Sequence, residues 1–533
     1  MGQPSFAASN AIIYLSYGAF LFMGVGVAFW LKGDRTKSFL SSNRTQTAFP
    51  LAMNFIAAAK RDEQRLPLGS GILFSYPELA TIAGVQGMLI YSLAAALPML
   101  VFGFLGPIIR RRCPEGFVLT EWTRQRYGTV AMLYLSFVSL VTIFLYMVSE
   151  LSAIGQVVNL MTGLDPLPVM IVQCVVTTIY TSLGGFKVSF FTDVIQGVMV
   201  IALIILATIT VGVTTDIKTE LIGRSGLLEP SLIGWQLLYI LPVAIFTNDF
   251  FLSHFWLRTF SARTDRDLWI GTSVATVALL VILTLVGATG LVATWSGAWP
   301  GDPPQLGSVA FFSLLEQLPA WVIGIILVMV VTLSTAAFDT LQSSMVSSAS
   351  NDLFRNRLNI WLIRGLVIVV IVPTVVLALK APSILQIYLI SDLVSAATVP
   401  VLVLGLADSF YFLRGFEIVA GGLGGILTVF LFGTVYYGNA KDGGDLLLVL
   451  QGLYAGDWAV FGAFVAAPVG SLLWAAAALA VRLGFQWVMA KKRGERFDAL
   501  DRPLAPAVVS YSDEQEVDTQ DGMETTKPAG VFF

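Results

Sequence analysis

The amino-acid sequence predicts an all-α polytopic membrane protein with about 13 transmembrane helices. Of its 533 residues, 56% belong to the hydrophobic set AVILMFWYC and 12% are charged, and the mean hydropathy is +0.80. Soluble proteins carry about 25% charged residues, so this composition excludes an ordinary set of soluble domains. Because a membrane helix needs about 20 apolar residues, the chain has room for about a dozen spans joined by short loops.

Apolar stretches bounded by charged residues, Gly or Pro define the individual spans. The second stretch is too long for one straight helix and contains Gly69-Ser70-Gly71, so we expect it to be interrupted there. The thirteen predicted spans are 11–31, 48–83, 86–109, 129–161, 166–185, 189–214, 232–253, 269–295, 319–348, 359–379, 384–407, 417–436 and 457–483.

The distribution of Lys and Arg predicts an outside N-terminus and a cytoplasmic C-terminus, because cytoplasmic loops are enriched in positive charge. In this orientation the inside segments hold most basic residues, and the outside segments hold Lys218, Arg224, Lys380 and Lys441. We expect residence in the plasma membrane.

Three regions follow from this topology. Residues 1–10 are predicted to be an extracellular N-terminus and residues 11–490 a transmembrane transport domain. Residues 491–533 are rich in Asp, Glu, Ser, Pro and Gly and lack apolar periodicity, which predicts a disordered cytoplasmic tail.

Several function classes are excluded by composition. The single histidine, His254, leaves no multi-histidine metal site, and the chain lacks a P-loop, which argues against a transporter with its own ATPase. The net charge is −3, with 31 Lys and Arg against 34 Asp and Glu, so no basic face remains for nucleic acid. We therefore predict no enzymatic activity and no cofactor, with a small-molecule solute and the lipid bilayer as partners.

Polar residues inside apolar helices are the candidate functional residues, because placing them in a bilayer costs several kcal/mol unless they serve an ion, a substrate or a partner. Asp249 and Asp392 have an alternative interpretation as acids of a water-exposed loop. The full set of candidates is Glu150, Asp193, Asn248, Asp249, Asp339, Asp392, Ser334, Thr335, Ser343 and Ser344.

The seventh predicted span carries Pro242 midway and ends in Thr247-Asn248-Asp249. A break at Pro242 would expose carbonyl oxygens to a cation or a polar solute, and the alternative is a simple kink. The interrupted second and seventh spans are five spans apart, which is the separation that five-helix inverted repeats predict.

One segment resembles a known family. Tyr180 to Gln196 reads YTSLGGFKVSFFTDVIQ and is similar to the Gly-Gly…Thr-Asp-x-x-Gln signature of sodium/solute symporters, which joins two helices through a short cytoplasmic turn. Leu333 to Ala336 is similar to the family's hydroxyl pair, and a Trp-x-Arg pattern follows the seventh span. The resemblance covers about residues 10–485.

The resemblance implies an inverted-repeat transporter core, alternating access and a sodium site between the second and ninth spans. It implies that Asp193 tunes cation coupling near the inner vestibule. The implied cation ligands are the side chains of Ser334 and Thr335 and the carbonyls of Val331, Ala58 (or Ala59) and Gly69.

The sequence departs from the family pattern at two places. The ninth span has about two extra residues before Asp352, so an alternative alignment puts Ala336 and Ala337 at the hydroxyl positions. Asp339, Ser343 or Ser344 would then matter more, and an Asp would favour H⁺ coupling. In addition, residues 60–67 form a charged block at the expected midplane break, which we interpret as an inserted segment or a loop into the vestibule.

The resemblance therefore implies a secondary active transporter that couples import of a small polar solute to a sodium or proton gradient. Sugars, amino acids, carboxylates and urea share this scaffold, and the fold does not name the solute. The acidic tail and Glu150 favour a resemblance to the eukaryotic urea and polyamine branch, and urea is the solute we predict first. The alternatives are an uncoupled facilitator or channel, and a transporter-like nutrient sensor, which the short tail disfavours.

Overall fold

The computed structural model describes residues 5–30, 46–53, 70–113, 118–300, 305–354, 360–380, 384–450 and 452–501. Within these ranges the regular elements are helices, apart from an isolated bridge between Gln46 and Ala262. The all-α prediction is confirmed. Eleven helical segments in these ranges are long and apolar enough to cross a membrane.

The helices are numbered in chain order, and residues 48–53 are also helical. Their bounds are α1 Phe6–Trp30, α2 Ile72–Ala96, α3 Pro98–Arg112, α4 Leu119–Tyr127, α5 Thr129–Thr162, α6 Pro166–Thr214, α7 Thr219–Ser225, α8 Leu232–Phe251, α9 Ser253–Ser261, α10 Asp265–Ser296, α11 Ala310–Leu315, α12 Ala320–Phe354, α13 Ile360–Ala378, α14 Ile384–Leu404, α15 Gly415–Tyr437, α16 Ala440–Leu447 and α17 Ala459–Arg493.

The predicted boundary between the second and third spans coincides with a backbone break in α2. Gly84 has φ 62° and ψ −157°, which is not helical, and only glycine adopts such a conformation without strain. The next N–H, that of Val85, donates to the carbonyl of Leu227 at 2.9 Å. Leu97 alone separates α2 from α3 and keeps helical dihedral angles (φ −65°, ψ −33°), and Pro98, which has no N–H for the hydrogen-bond ladder, begins α3.

The helix α6 contains the two predicted spans 166–185 and 189–214 in one continuous element of 49 residues. A straight helix of that length would measure about 73 Å, more than twice the hydrocarbon thickness of a bilayer. Tyr180 and Thr192 both contact the same carboxylate oxygen of Asp339. Twelve residues of straight helix would separate them by about 18 Å, so α6 must bend between Tyr180 and Thr192.

The prediction of a break at Pro242 is wrong. The helix α8 continues through Pro242 and ends at Phe251, and Leu252 is extended, with φ −81° and ψ 130°, before α9 begins. Proline is tolerated inside membrane helices because its φ is helical and neighbouring groups satisfy the freed carbonyl.

Two further spans differ in length from the prediction. α12 continues six residues beyond the predicted end at 348, and α17 continues to Arg493, where Gly494 ends it at φ 69°. The predicted charged block 60–67 and residues 502–533 of the tail lie outside the described residues.

The core is organised around α12, the most buried of the candidate spans. It packs against α5, α6 and α1, while α2 packs against α10, and α15 packs against α17. All residues of α12 from Val330 to Ser344 are buried. Polar side chains on α12 are therefore enclosed by other helices.

Candidate functional site

Glu150 lies on α5 and is completely buried. The backbone N–H and the hydroxyl of Ser70 both donate to its Oε1, at 2.9 and 2.8 Å. Ser70 immediately precedes the N-cap of α2 at Gly71, so the carboxylate lies at the start of α2. Helix N-termini stabilise negative charge, which accounts for this placement.

A second group of polar side chains surrounds Asn248 near the end of α8. Its Nδ2 donates to Tyr146 Oη at 2.6 Å and to Asp392 Oδ1 at 2.7 Å, with Ser391 Oγ at 3.3 Å. Its Oδ1 has no hydrogen-bond partner among the described residues. The Tyr146 ring lies 5.4 Å from that of Tyr388 on α14.

The two groups are continuous, because Tyr146 and Glu150 lie one turn apart on the same face of α5. We call Tyr146, Glu150, Asn248, Tyr388 and Asp392 the central acidic cluster. All five are at most 1% exposed. Asp249 and Asp392 are both fully buried, so the alternative that they belong to a water-exposed loop is wrong.

The predicted side-chain ligands of the cation, Ser334 and Thr335, lie on consecutive residues of α12 in the core. Ser334 Oγ lies 2.8 Å from Gln173 Nε2 and 3.1 Å from Gln173 Oε1, and Tyr17 donates to the same Oε1 at 2.9 Å. This network links α1, α6 and α12.

Thr335 donates its hydroxyl to the carbonyl of Val331 at 2.7 Å. Each oxygen retains lone pairs, and carbonyl and hydroxyl oxygens suit a hard cation such as Na⁺. The other two predicted ligands, Ala58 and Gly69, lie outside the described residues, so this ligand set stays a prediction.

In the alternative alignment of α12, Asp339 is the first candidate residue. Its Oδ2 accepts from Tyr180 at 2.8 Å and lies 3.5 Å from Thr192 Oγ1, and its side chain is completely buried. Ser343 is buried one turn further, and its hydroxyl has no partner within the described part of the chain. Asp193 lies in α6, but its side chain is outside the described set.

Sequence reasoning missed four residues that complete these networks: Tyr17, Tyr146, Gln173 and Tyr388. Gln173 carried a usable signal, because it is an amide in the middle of a predicted span. The tyrosines did not, because tyrosine is common in membrane helices and its partner depends on which helix face it occupies.

The chain has clear relatives. The model of the sodium:solute symporter family matches residues 39–409. Over 530 residues the chain is 50% identical to "Spermidine transporter DUR31" of Candida albicans, covering 98% of this chain and 99% of the relative. It is 26% identical over 215 residues to "Urea-proton symporter DUR3" of Oryza sativa subsp. japonica, covering 38% of this chain and 28% of that protein.

Solved structures support the fold. A Na⁺-coupled sialic acid symporter aligns with a TM-score of 0.65 at 15% identity, covering 87% of this chain and 97% of that one. Mhp1, a nucleobase-cation-symport-1 family transporter, aligns with a TM-score of 0.52 at 14% identity, covering 83% and 95%. The signature at 180–196, the enclosed polar networks and these matches agree, and the chain belongs to the sodium:solute symporter family.

Proposed function

We propose that this ion-coupled solute transporter imports a small polyamine of the spermidine type across the plasma membrane. The observation that carries the proposal is the central acidic cluster, in which two buried carboxylates, Glu150 and Asp392, adjoin the rings of Tyr146 and Tyr388. Carboxylates compensate the charge of an ammonium group, and aromatic faces attract cations. The 50% identity to a protein named as a spermidine transporter supports the same substrate class.

Urea is the second candidate, and it was the first choice from the sequence. Relatives named as urea transporters support it at 24–26% identity. Urea is neutral and has one acceptor and two NH₂ groups, so Asn248 and Ser391 could bind it without any carboxylate. Two enclosed acids in one cluster therefore favour a cationic solute over urea.

The coupling ion is proposed to bind beside Ser334 and Thr335 if it is Na⁺, or to be H⁺ if Asp339 is the coupling residue. Both positions are enclosed in α12. Replacing Ser334→Ala and Thr335→Ala together should raise the half-saturating sodium concentration at normal surface expression. Unchanged sodium dependence in this variant would reject Ser334 and Thr335 as sodium ligands.

The test is uptake of labelled spermidine and labelled urea by transporter-null cells that express the full chain. Sodium and pH gradients are imposed separately, and a variant that lacks residues 60–67 is run in parallel. Gradient-driven spermidine uptake supports the proposal. Gradient-driven urea uptake without spermidine uptake would replace the polyamine proposal with urea transport. Uptake that depends on neither gradient would identify a facilitator.

A further inference from the structure

A further buried acid lies on α2, outside the central acidic cluster. Glu78 is 6% exposed, and its carboxylate has no hydrogen bond or ion pair with another group in the described ranges. The hydroxyl of Thr81 lies close, but it donates to the backbone carbonyl of Glu78, at 2.7 Å. An enclosed carboxylate without a partner is costly in a membrane protein, so such a group indicates a role in binding a cation or a proton.

A short segment between α10 and α12 covers Glu78. We call residues 307–315, which form a 3-10 turn at Gly307–Val309 followed by α11, the outer cover, because this loop is outside in the predicted orientation. A Cβ on Gly307 would lie 3.5 Å from Glu78 Cγ and 2.5 Å from Thr81 Oγ1. Because glycine has no Cβ, the outer cover lies directly on the face of α2 that carries Glu78.

The same face of α2 connects Glu78 to the central acidic cluster. Ser70, Phe74 and Glu78 are spaced by four residues and therefore lie on one side of the helix. Ser70 donates twice to Glu150 Oε1, so one end of this row is a carboxylate. Phe74 in the middle is buried, and its ring lies 4.8 Å from that of Phe312 in the outer cover. The row therefore consists of an acid, an aromatic ring and a second acid.

The spacing along α2 matches the length of an extended spermidine. Ser70 and Glu78 are eight residues apart, which is about 12 Å along a helix axis. Nine single bonds separate the terminal nitrogens of spermidine, as many as in three extended backbone residues, which span about 10–11 Å. The five bonds of putrescine span about 6 Å. An extended spermidine therefore places one ammonium group beside Glu150, the other beside Glu78 and its methylene groups against Phe74.

We propose that Glu78 binds the second ammonium group of a linear polyamine whose first ammonium group lies at the central acidic cluster. The proposal rests on the polyamine function proposed above and adds a length requirement to it. A monoamine needs the cluster alone, whereas two ammonium groups about 11 Å apart pair with both acids. Glu78 therefore selects long linear diamines over short diamines and over monoamines.

The test is uptake of labelled spermidine by transporter-null cells that express the full chain, in competition with unlabelled amines. 1,8-Diaminooctane keeps the length of spermidine, putrescine is shorter, and 8-amino-1-octanol replaces one terminal amine by a hydroxyl. Glu78→Gln keeps the size of the side chain and removes its charge. Glu316→Gln is the matched control, because Glu316 is an exposed acid immediately after the outer cover. Surface expression is measured for each variant.

In the parent chain we expect 1,8-diaminooctane to compete at least about tenfold more strongly than putrescine or 8-amino-1-octanol, because it alone pairs with both acids. In Glu78→Gln we expect this preference to fall to about twofold or less and the KM for spermidine to rise about tenfold. Glu316→Gln should behave as the parent. Equal competition by the three amines in the parent, or a preserved preference in Glu78→Gln, would overturn the role of Glu78.

The competition in the parent chain tests the length requirement even if Glu78→Gln does not reach the surface. A parent chain that takes up urea and no spermidine would reject both the polyamine function and the role of Glu78. Spermidine uptake without a length preference would reject the role of Glu78 alone. Loss of the dependence on the pH gradient in Glu78→Gln, at an unchanged KM, would assign the carboxylate to proton transfer and would also overturn the proposal.

Discussion

At the scale of single residues, the most informative side chain is the Glu150 carboxylate. Ser70 donates twice to its Oε1, and Tyr146 lies one turn away on the same helix. A glutamine at this position keeps an acceptor oxygen of the same size and removes the charge. The substitution therefore separates binding of a cation from packing of the two helices.

We expect Glu150→Gln to raise the KM for spermidine roughly 10- to 100-fold, because a hydrogen bond to a charged group is worth about 1.5–3 kcal/mol. Surface expression should remain close to that of the parent chain. Uptake kinetics at a fixed gradient measure the change. A KM equal to that of the parent would remove Glu150 from the binding site.

The sequence predicts Glu150, Asn248, Asp339 and the hydroxyl pair as candidates because polar groups in apolar helices are rare and costly, and all of them are buried. It did not show how they are grouped. Asn248 and Asp392 are 144 positions apart and share a hydrogen bond of 2.7 Å, which depends on the packing of α8 against α14. Such pairings are a property of the tertiary structure, and one sequence does not contain them.

At the scale of helices, the backbone break at Gly84 falls between two predicted spans, whereas the break predicted at Pro242 does not occur there. The predicted second span ends at 83 and the third begins at 86, so Gly84 lies between them, and glycine permits its positive φ. Pro242 suggested a break, yet the chain leaves the helix ten residues later at Leu252. Proline only weakens a membrane helix, and packing decides whether that helix ends.

Gly84→Ala should destabilise the protein. An added Cβ would clash with the carbonyl oxygen of Leu227, and a left-handed φ costs a residue other than glycine about 1–2 kcal/mol. Thermal unfolding of the purified protein in detergent should occur several degrees lower. Gly18→Ala on α1 is the control, because its Cβ would contact nothing within 4 Å; equal melting temperatures for both variants would contradict the strain argument.

A buried ion pair connects α15 to α17. Glu417 Oε1 accepts from Arg482 Nε at 2.5 Å, and its Oε2 accepts from the backbone N–H of Arg414 at 2.8 Å. Burial, and then the charge of Arg482, lowers the pKa of the Arg414 guanidinium. This end of the two helices therefore depends on the Glu417 carboxylate.

Glu417→Met should cost about 3–5 kcal/mol, because it leaves Arg482 buried without its carboxylate, whereas Glu417→Met with Arg482→Met should recover much of the loss. Thermal unfolding and surface expression report both variants. The KM for spermidine should stay unchanged in the double variant, because the pair lies outside the central acidic cluster. A double variant less stable than Glu417→Met would refute the ion-pair interpretation.

At the scale of the whole molecule, composition and charge predict the spans and their orientation, whereas they do not predict the site. The reason is that the bilayer imposes helix length and loop charge on any sequence. The clusters Arg110–Arg112 and Lys491–Arg493 lie in the last turns of α3 and α17. In the predicted topology of thirteen spans, both clusters lie on the cytoplasmic side, where positive charge is favoured. An odd number of spans requires the two termini to lie on opposite sides.

We therefore expect an epitope at the N-terminus to be stained in intact cells and an epitope at the C-terminus to be stained after permeabilisation alone. Each tagged chain must first show gradient-driven uptake, which ensures that the tag has not altered the topology. Staining of both termini in intact cells, or of neither, would require an even number of spans. One predicted span would then be missing or extra, and the charge distribution would be misread at that span. Labelling of cysteines placed in successive loops would identify it.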